Sequence, residues 1–218
     1  MVETNLYKVT SCVPTKRDHY NVNFSHPNSG DLELSVHKEL VIEYRLVVGK
    51  KLDATAFDQL QNDLSYGKAY AYAVSVLVNR LYTEKEMRKK MRSREVEKAV
   101  IDAVVSKLLE TALLDDSKYT ELYIESQVEA GTKSKERIVM DLRQKGISHD
   151  MLGDFDHLFD ADQELAVIDG EIEKAWQRSA EKELTDYERK HRIVQSVARK
   201  GFNIDDVFSR YEIFVDER

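Results

Sequence analysis

Cysteine, proline and glycine are all scarce in this chain of 218 residues, which has one, two and eight of them. Cys12 alone makes no internal disulfide, so the fold must be held by its core, and a reducing, cytoplasmic setting is expected. With Gly and Pro at under half their usual share, few tight turns are available. That excludes a many-stranded sandwich or barrel and leaves little material for glycine-rich phosphate loops. Long apolar runs are also missing. The longest, AYAVSVLV near 71–78, falls well short of the roughly 18–20 residues that a bilayer crossing needs. The N-terminal MVETNLYKVT lacks the basic-then-apolar order of a secretory signal. What is abundant is charge, at 33% of residues, beside 42% hydrophobic content that suffices for a core of one large or two small domains. The net charge of -7 gives no general affinity for polyanions, so any nucleic-acid contact must come from a local patch.

Alternation of side chains over residues 6–36 predicts three strands, with Tyr7, Val9, Ser11 and Val13, then Tyr20, Val22 and Phe24, then Leu32, Leu34 and Val36 on the apolar face. Pro14 to Asp18 and HPNSG at 26–30 supply the turns. A three-stranded antiparallel meander needs a covering helix, and Leu40, Val41 and Tyr44 stand at helical spacing. Gly49, Lys50 and Lys51 break that pattern before a second short helix, which Asp53 is positioned to cap. From about residue 65 onward the period is 3.6. Ala69, Tyr72, Ala73, Val76 and Leu77 form one apolar face. Val100, Ile101, Val104, Val105 and Leu108 form another, and Leu165, Ile168, Ile172, Ala175 and Trp176 a third.

An internal repeat organises this helical part. DLRQKGISHDMLGDF at 141–155 aligns with SVARKGFNIDDVFSR at 196–210, pairing Leu142, Lys145, Gly146, Ile147 and Leu152 with Val197, Lys200, Gly201, Phe202 and Val207. KMRSREVEKAVIDAV at 90–104 fits the same frame through Met91, Arg94, Val96 and Ile101. A period near 50 holding three helical segments predicts tandem three-helix repeats in an elongated, curved stack. The expected division is a β-rich region with short helices at 1–64 and repeats at 65–115, 116–160 and 161–218. Each Lys-Gly pair reads as a basic last turn followed by a left-handed helix stop. In the first copy Glu95 occupies the glycine position, so that turn is expected to be built differently or the two helices to merge in part. Thr83 with Glu86 forms a capping box that starts the middle helix, and Ser134 holds the corresponding place in the second copy.

Although the protein is acidic, the middle helix of each copy is basic. Residues 80–98 carry a local +4, and residues 133–145 and 182–200 carry +3 each, leaving -17 for the rest. The candidate contact residues are Arg80, Lys85, Arg88, Lys89, Arg92 and Arg94; Lys133, Lys135, Arg137, Arg143 and Lys145; and Arg189, Arg192, Arg199 and Lys200. Arg88, Lys89 and Arg92 are expected to be exposed. Aligned in register, these helices would make a discontinuous basic stripe able to track a phosphate backbone or dock an acidic protein groove. The plainer reading is that helices rich in Lys, Arg and Glu are solvated faces.

No catalytic arrangement emerges. The six histidines (His19, His26, His37, His149, His157, His191) lack HExxH spacing, and Cys12 on an alternating strand reads as a small core residue. Ser106 and Ser126 lack a nucleophile-elbow context. Asp154, Asp156, Asp160 and Asp162 are close in sequence, but the calcium-loop pattern fails and Leu165 stands where the bidentate Glu would be, so helix-terminal acids are the better reading. GTKSK at 131–135 lacks the upstream glycine of a phosphate loop. Trp176 and Tyr187 lie near the third basic helix; an aromatic at helical spacing among Leu and Ile belongs in a core more often than on a base.

The order of these segments resembles the RecX regulatory proteins, in the longer form with a β-rich region before three tandem three-helix repeats. HKELVIEYRLVVGKKLD resembles the end of that region, KAYAYAVSVLVNRLYTEKEMRKKM the first-repeat motif, and LRQKGI and ARKGF the repeated helix ends. Arg80, Thr83 and Glu86 match the Arg, Ser and Glu of the family's Arg-x-Arg-Ser-x-x-Glu segment, with Leu81 and Tyr82 between them in place of its second Arg. Asp115-Asp116 after LLETALL matches the Leu-x-Asp-Asp that closes the first repeat. The resemblance implies a non-enzymatic regulator without cofactors. Such a protein binds the RecA recombinase filament in its helical groove and inhibits ATPase, strand-exchange and coprotease activities, thereby modulating recombination, DNA repair and the SOS response. It also implies a monomer with no membrane contact, whose own affinity for single-stranded or duplex DNA is weak. A stand-alone DNA-binding repeat protein is the alternative.

Overall fold

The alternating segments from Tyr7 to His37 form three antiparallel strands, β1 (Tyr7–Pro14), β2 (His19–His26) and β3 (Gly30–His37). In the computed structural model, which describes residues 6–179 and 184–218, a fourth strand joins them. After α1 (Lys38–Glu43), β4 (Lys51–Leu52) pairs with the other edge of β1, giving the order β3-β2-β1-β4. The expected three-stranded sheet is therefore four-stranded. Two residues are too few to alternate, so β4 leaves no periodic trace. The expected phase of β1 is also corrected. A β-bulge between Val9 and Ser11 shifts the register, so Cys12 packs on the core while Val13 is exposed.

Asp53 caps the next helix through Ala56 N–H at 2.8 Å, but that helix is not short: α2 runs unbroken over Ala54–Leu77, through the boundary expected at 64. No proline interrupts these residues, and the two halves of the helix have different work. Phe57, Leu60 and Leu64 cover the sheet together with Leu40, Val41 and Tyr44, and the Phe57 ring stacks on Tyr7 and meets Phe24 edge-on. Farther along, Ala69 and Ala73 are buried where α2 packs on α4 (Lys98–Glu110).

The remaining α-helices among the described residues are α3 (Glu84–Arg92), α5 (Asp116–Ala130), α6 (Lys135–Gln144), α7 (His149–Gly153), α8 (Ala161–Ser179), α9 (Asp186–Ala198) and α10 (Ile204–Asp216), with a single 3-10 turn at Asp156–Leu158. The fold is thus mainly helical, with tandem three-helix units after a small antiparallel sheet. It divides into two compact units, Met1–Arg80 with Arg88–Leu113 and Leu81–Met87 with Leu114–Arg218, the line falling within α3. In the second unit, Tyr119, Ile124, Ile138, Leu142, Ile147 and Leu152 make one core, and Ile168, Ile172, Ile193, Val197, Phe202 and Val207 make another. The aligned positions of the repeat are the ones that become buried: Leu142 with Val197, Ile147 with Phe202, Leu152 with Val207, and Met91 and Ile101 in the first copy.

Candidate partner-binding surface

The Lys-Gly pairs end their helices as expected, with Gly146 and Gly201 both at φ +101°. Glu95 takes up the same left-handed turn at φ +59°, with Val96 N–H reaching Met91 C=O as Ile147 N–H reaches Leu142 C=O. The expectation of a different turn, or of merged helices, is overturned: α3 and α4 are separate.

Within the second unit these helix ends also join one three-helix layer to the next. The Thr83 hydroxyl donates to Lys145 C=O at 2.7 Å, Lys85 Nζ donates to Gln144 C=O at 2.9 Å, and Lys145 Nζ pairs with Glu86 at 2.8 Å. One repeat later, Ser134 N–H donates to Lys200 C=O at 3.3 Å, and Lys200 pairs with the buried Glu171. A Cβ on Gly146 would lie 2.7 Å from Lys85 Cβ, and one on Gly201 would lie 2.6 Å from Ser134 Oγ and 2.7 Å from Arg137 Cβ. Glycine at these two positions therefore serves close approach as well as the turn. Thr83 and Glu86 form the reciprocal capping box, Ser134 caps α6 through Arg137 N–H, and Thr185 with Glu188 repeats the device on α9.

Several candidate bases are consumed by this internal docking. Burial acts to lower the Lys145 ammonium, but hydrogen bonds to Glu86 and Tyr119 outweigh it and hold the group above its ordinary value. Burial likewise pushes the Glu171 carboxyl up, and Lys200 and Lys174 overcome it, leaving the carboxyl below its usual range. Lys133 and Arg137 both engage Asp141, at 2.8 and 3.2 Å, and Lys135 engages Asp156 at 2.6 Å. Arg88, expected to be exposed, is half-buried and pairs with Asp102 at 2.5 Å. Arg189 lies over the Trp176 ring at 5.1 Å.

Among the described residues, the candidate bases that stay exposed without a carboxylate partner are fewer. In the first unit they are Lys89, Arg92 and Arg94, the last lying 4.1 Å above the Tyr72 ring; in the second they are Arg143, Arg192 and Arg199. Arg80 and Lys85 are exposed too but engaged within the protein, Lys85 by donating to Gln144 C=O. Charge counting confined to the middle helices missed Arg178, which sits at the end of α8 and lines a cleft with Arg192 and Arg199. Its signal in the sequence is its place beside Ser179, one turn beyond Ala175 on the apolar face of α8.

Asp160 accepts from the backbone of Asp162 and Gln163 at the start of α8, in keeping with helix-terminal acids. Among the described residues no group of three His, Cys, Asp or Glu is placed to hold a metal ion, and no helix is long and apolar enough to cross a membrane. Trp176 packs against Tyr211 and Phe214 in the core of the last unit, whereas Tyr187 is 77% exposed. A cleft of about 760 Å³ in the first unit holds His19, His37, Glu39, Asp63 and Tyr70. Its two imidazoles are tied to nearby backbone, His19 to Arg17 C=O and His37 to Glu39 N–H.

With this geometry in view, comparison with known proteins finds two family models in the chain. One, described as the first three-helix domain of RecX, matches residues 69–108, and another, the second three-helix domain of RecX, matches residues 115–152. A protein named Regulatory protein RecX from Leuconostoc mesenteroides is 29% identical, over 88% of this chain and 70% of its own. Its namesake from Finegoldia magna is 29% identical over 79% of this chain and 80% of its own. Among solved structures, a crystal structure of regulatory protein RecX superposes with a TM-score of 0.71 at 23% identity, covering 96% of this chain and 99% of the other. That of RecX from Lactobacillus salivarius gives 0.57 at 25% identity, covering 68% and 95%.

Proposed function

The chain belongs to the RecX family of regulatory proteins, and from that premise we propose that it binds the RecA recombinase filament in its helical groove and inhibits ATP hydrolysis, strand exchange and coprotease activity. Likeness along most of the chain to proteins named as regulators carries this reading. The protein acts by occupancy rather than turnover, as a cytoplasmic monomer without cofactor, and so modulates recombination and DNA repair, the SOS response included. Recurring three-helix units suit such a role, because repeat proteins offer extended surfaces to their partners. Exposed bases without a carboxylate partner among the described residues, such as Lys89 and Arg92, are suited to steering onto acidic surface or onto DNA held inside the filament.

Cosedimentation with preassembled RecA filaments tests the docking surface. The wild-type chain is expected to pellet with the filament and Lys89→Glu/Arg92→Glu to stay largely in solution while keeping its far-UV spectrum. Arg88 is left intact because its removal would strand Asp102. Equal pelleting of a folded double variant would move the contact off α3.

A further inference from the structure

The last three-helix unit carries a polar cleft that the stacking of repeats does not use. Between the end of α8 and the middle of α9 lies an opening of about 240 Å³, with buried Ala175 and Ile193 at its base and Arg178, Arg192, Arg199 and Ser196 around it. No carboxylate lines it among the described residues. In the same three-helix unit Lys200 is matched with Glu171 and Arg210 with Asp169, and in the units before it Lys133 is matched with Asp141 and Lys145 with Glu86. Here three arginines line one small opening, and among the described residues none of them has an acidic partner. Arg178 and Arg199 each give Nε to a carbonyl four residues back, Lys174 at 2.9 Å and Gln195 at 3.2 Å, which orients their planar groups; among the described residues their terminal nitrogens make no ion pair. A lining made of donors, with guanidinium forks held in place, fits an oxyanion of the phosphate class.

A second depression, of about 400 Å³, shares Arg192 and contains Tyr187 and His191. Tyr187 is 77% exposed, and its ring lies 24° from that of His191 with centroids 6.2 Å apart. This aromatic has no part in the core. The carboxylate bordering it, Glu188, is turned to the start of α9, where it accepts from Thr185 N–H and hydroxyl. A flat exposed ring beside a phosphate-class cleft favours a nucleotide over an acidic peptide, because a base has a π-face to stack and a carboxylate has none.

We propose that these two depressions form a site for one nucleotide unit, its phosphate held by Arg178, Arg192 and Arg199 and its base stacked on Tyr187. Arg192 and Arg199 are also candidate contacts of a protein partner, so the nucleotide site is tested without recombinase.

The test uses the full chain and fluorescence anisotropy of a labelled oligothymidylate, with unlabelled dTMP, inorganic phosphate and polyglutamate as competitors. Arg178→Gln/Arg192→Gln/Arg199→Gln is expected to weaken strand binding by about tenfold or more and to lower the slope of log K against log salt by about 0.7, one phosphate on a single strand. Arg192→Gln alone, at an exposed position, shifts binding in the same direction. Tyr187→Ala weakens it by about fivefold or more and Tyr187→Phe restores it, as stacking on a ring requires. Displacement of the strand by dTMP identifies a free nucleotide as a ligand, and strand binding that resists dTMP identifies a nucleotide within a chain; both support the site. No strand binding by the wild-type protein, equal binding by folded variants, or displacement by polyglutamate as effective as by unlabelled strand would overturn it.

Discussion

Replacing Gly201 with alanine puts a methyl group where Ser134 Oγ and Arg137 Cβ already stand, 2.6 and 2.7 Å away. Two costs combine. At φ +101° an L-residue is strained by about 1–2 kcal/mol. Forcing apart a packed contact adds about 1–3 kcal/mol, since the nearest atoms sit on α6 and its cap rather than at the end of a mobile side chain. The sum, about 3 kcal/mol, corresponds to a urea midpoint lowered by about 1–2 M at ordinary m-values. Trp176, the one tryptophan of the chain, lies in the core of the last three-helix unit, so its emission reports the transition. Gly49 is the control: at φ +91° with nothing within 4 Å, Gly49→Ala carries backbone strain alone and is followed by circular dichroism. If Gly201→Ala costs no more than Gly49→Ala, the close approach between repeats is not what these glycines serve. Glu95→Gly supplies the converse, a change expected to be neutral or slightly stabilising because the side chain now sits at φ +59°.

Other expectations follow from the same contacts. Lys200→Met removes a partner of the almost fully buried Glu171, leaving Lys174, and should cost about 3 kcal/mol by urea titration. Because the Glu171 carboxyl lies below its unfolded value, its stabilisation is complete above the ordinary carboxylate range and is lost as pH falls through the lowered value; Lys200→Met should flatten that acid dependence of the Trp176 transition. Ile172→Ala, at a fully buried position in the same core, should cost about 2–5 kcal/mol, measured the same way. Arg88→Ala should destabilise the first unit more than Lys89→Ala, since only Arg88 has Asp102 as partner; equal thermal midpoints would contradict the pairing.

Where side chains repeat, the sequence is a good guide to this fold. Leu142 and Val197, Ile147 and Phe202, Leu152 and Val207 align by eye and are buried in pairs, because burial of an amphipathic face imposes its period on the chain. The capping residues Asp53, Thr83 and Ser134 are equally plain, since a cap acts within one turn. What escapes is either too short or too distant to leave a local pattern. β4 is two residues long, the bulge in β1 is a single extra residue, and α2 crosses from sheet to bundle with no change in its own periodicity. The basic helices show the same limit. Composition marks Lys145 and Lys200 as candidate contacts, but their partners Glu86 and Glu171 lie 59 and 29 residues away, and only the folded chain brings them together. Arg178 escaped for the opposite reason, standing on α8 outside the basic segment that completes its cleft.

Inhibition of RecA is tested most directly by the rate of DNA-dependent ATP hydrolysis by preassembled filaments titrated with the wild-type chain. Hydrolysis should slow and approach a floor at or below one chain per recombinase subunit, as expected for a protein that acts by occupying the groove. A rate unchanged through a several-fold excess of folded protein would contradict the proposed activity, while the family and the fold would stand.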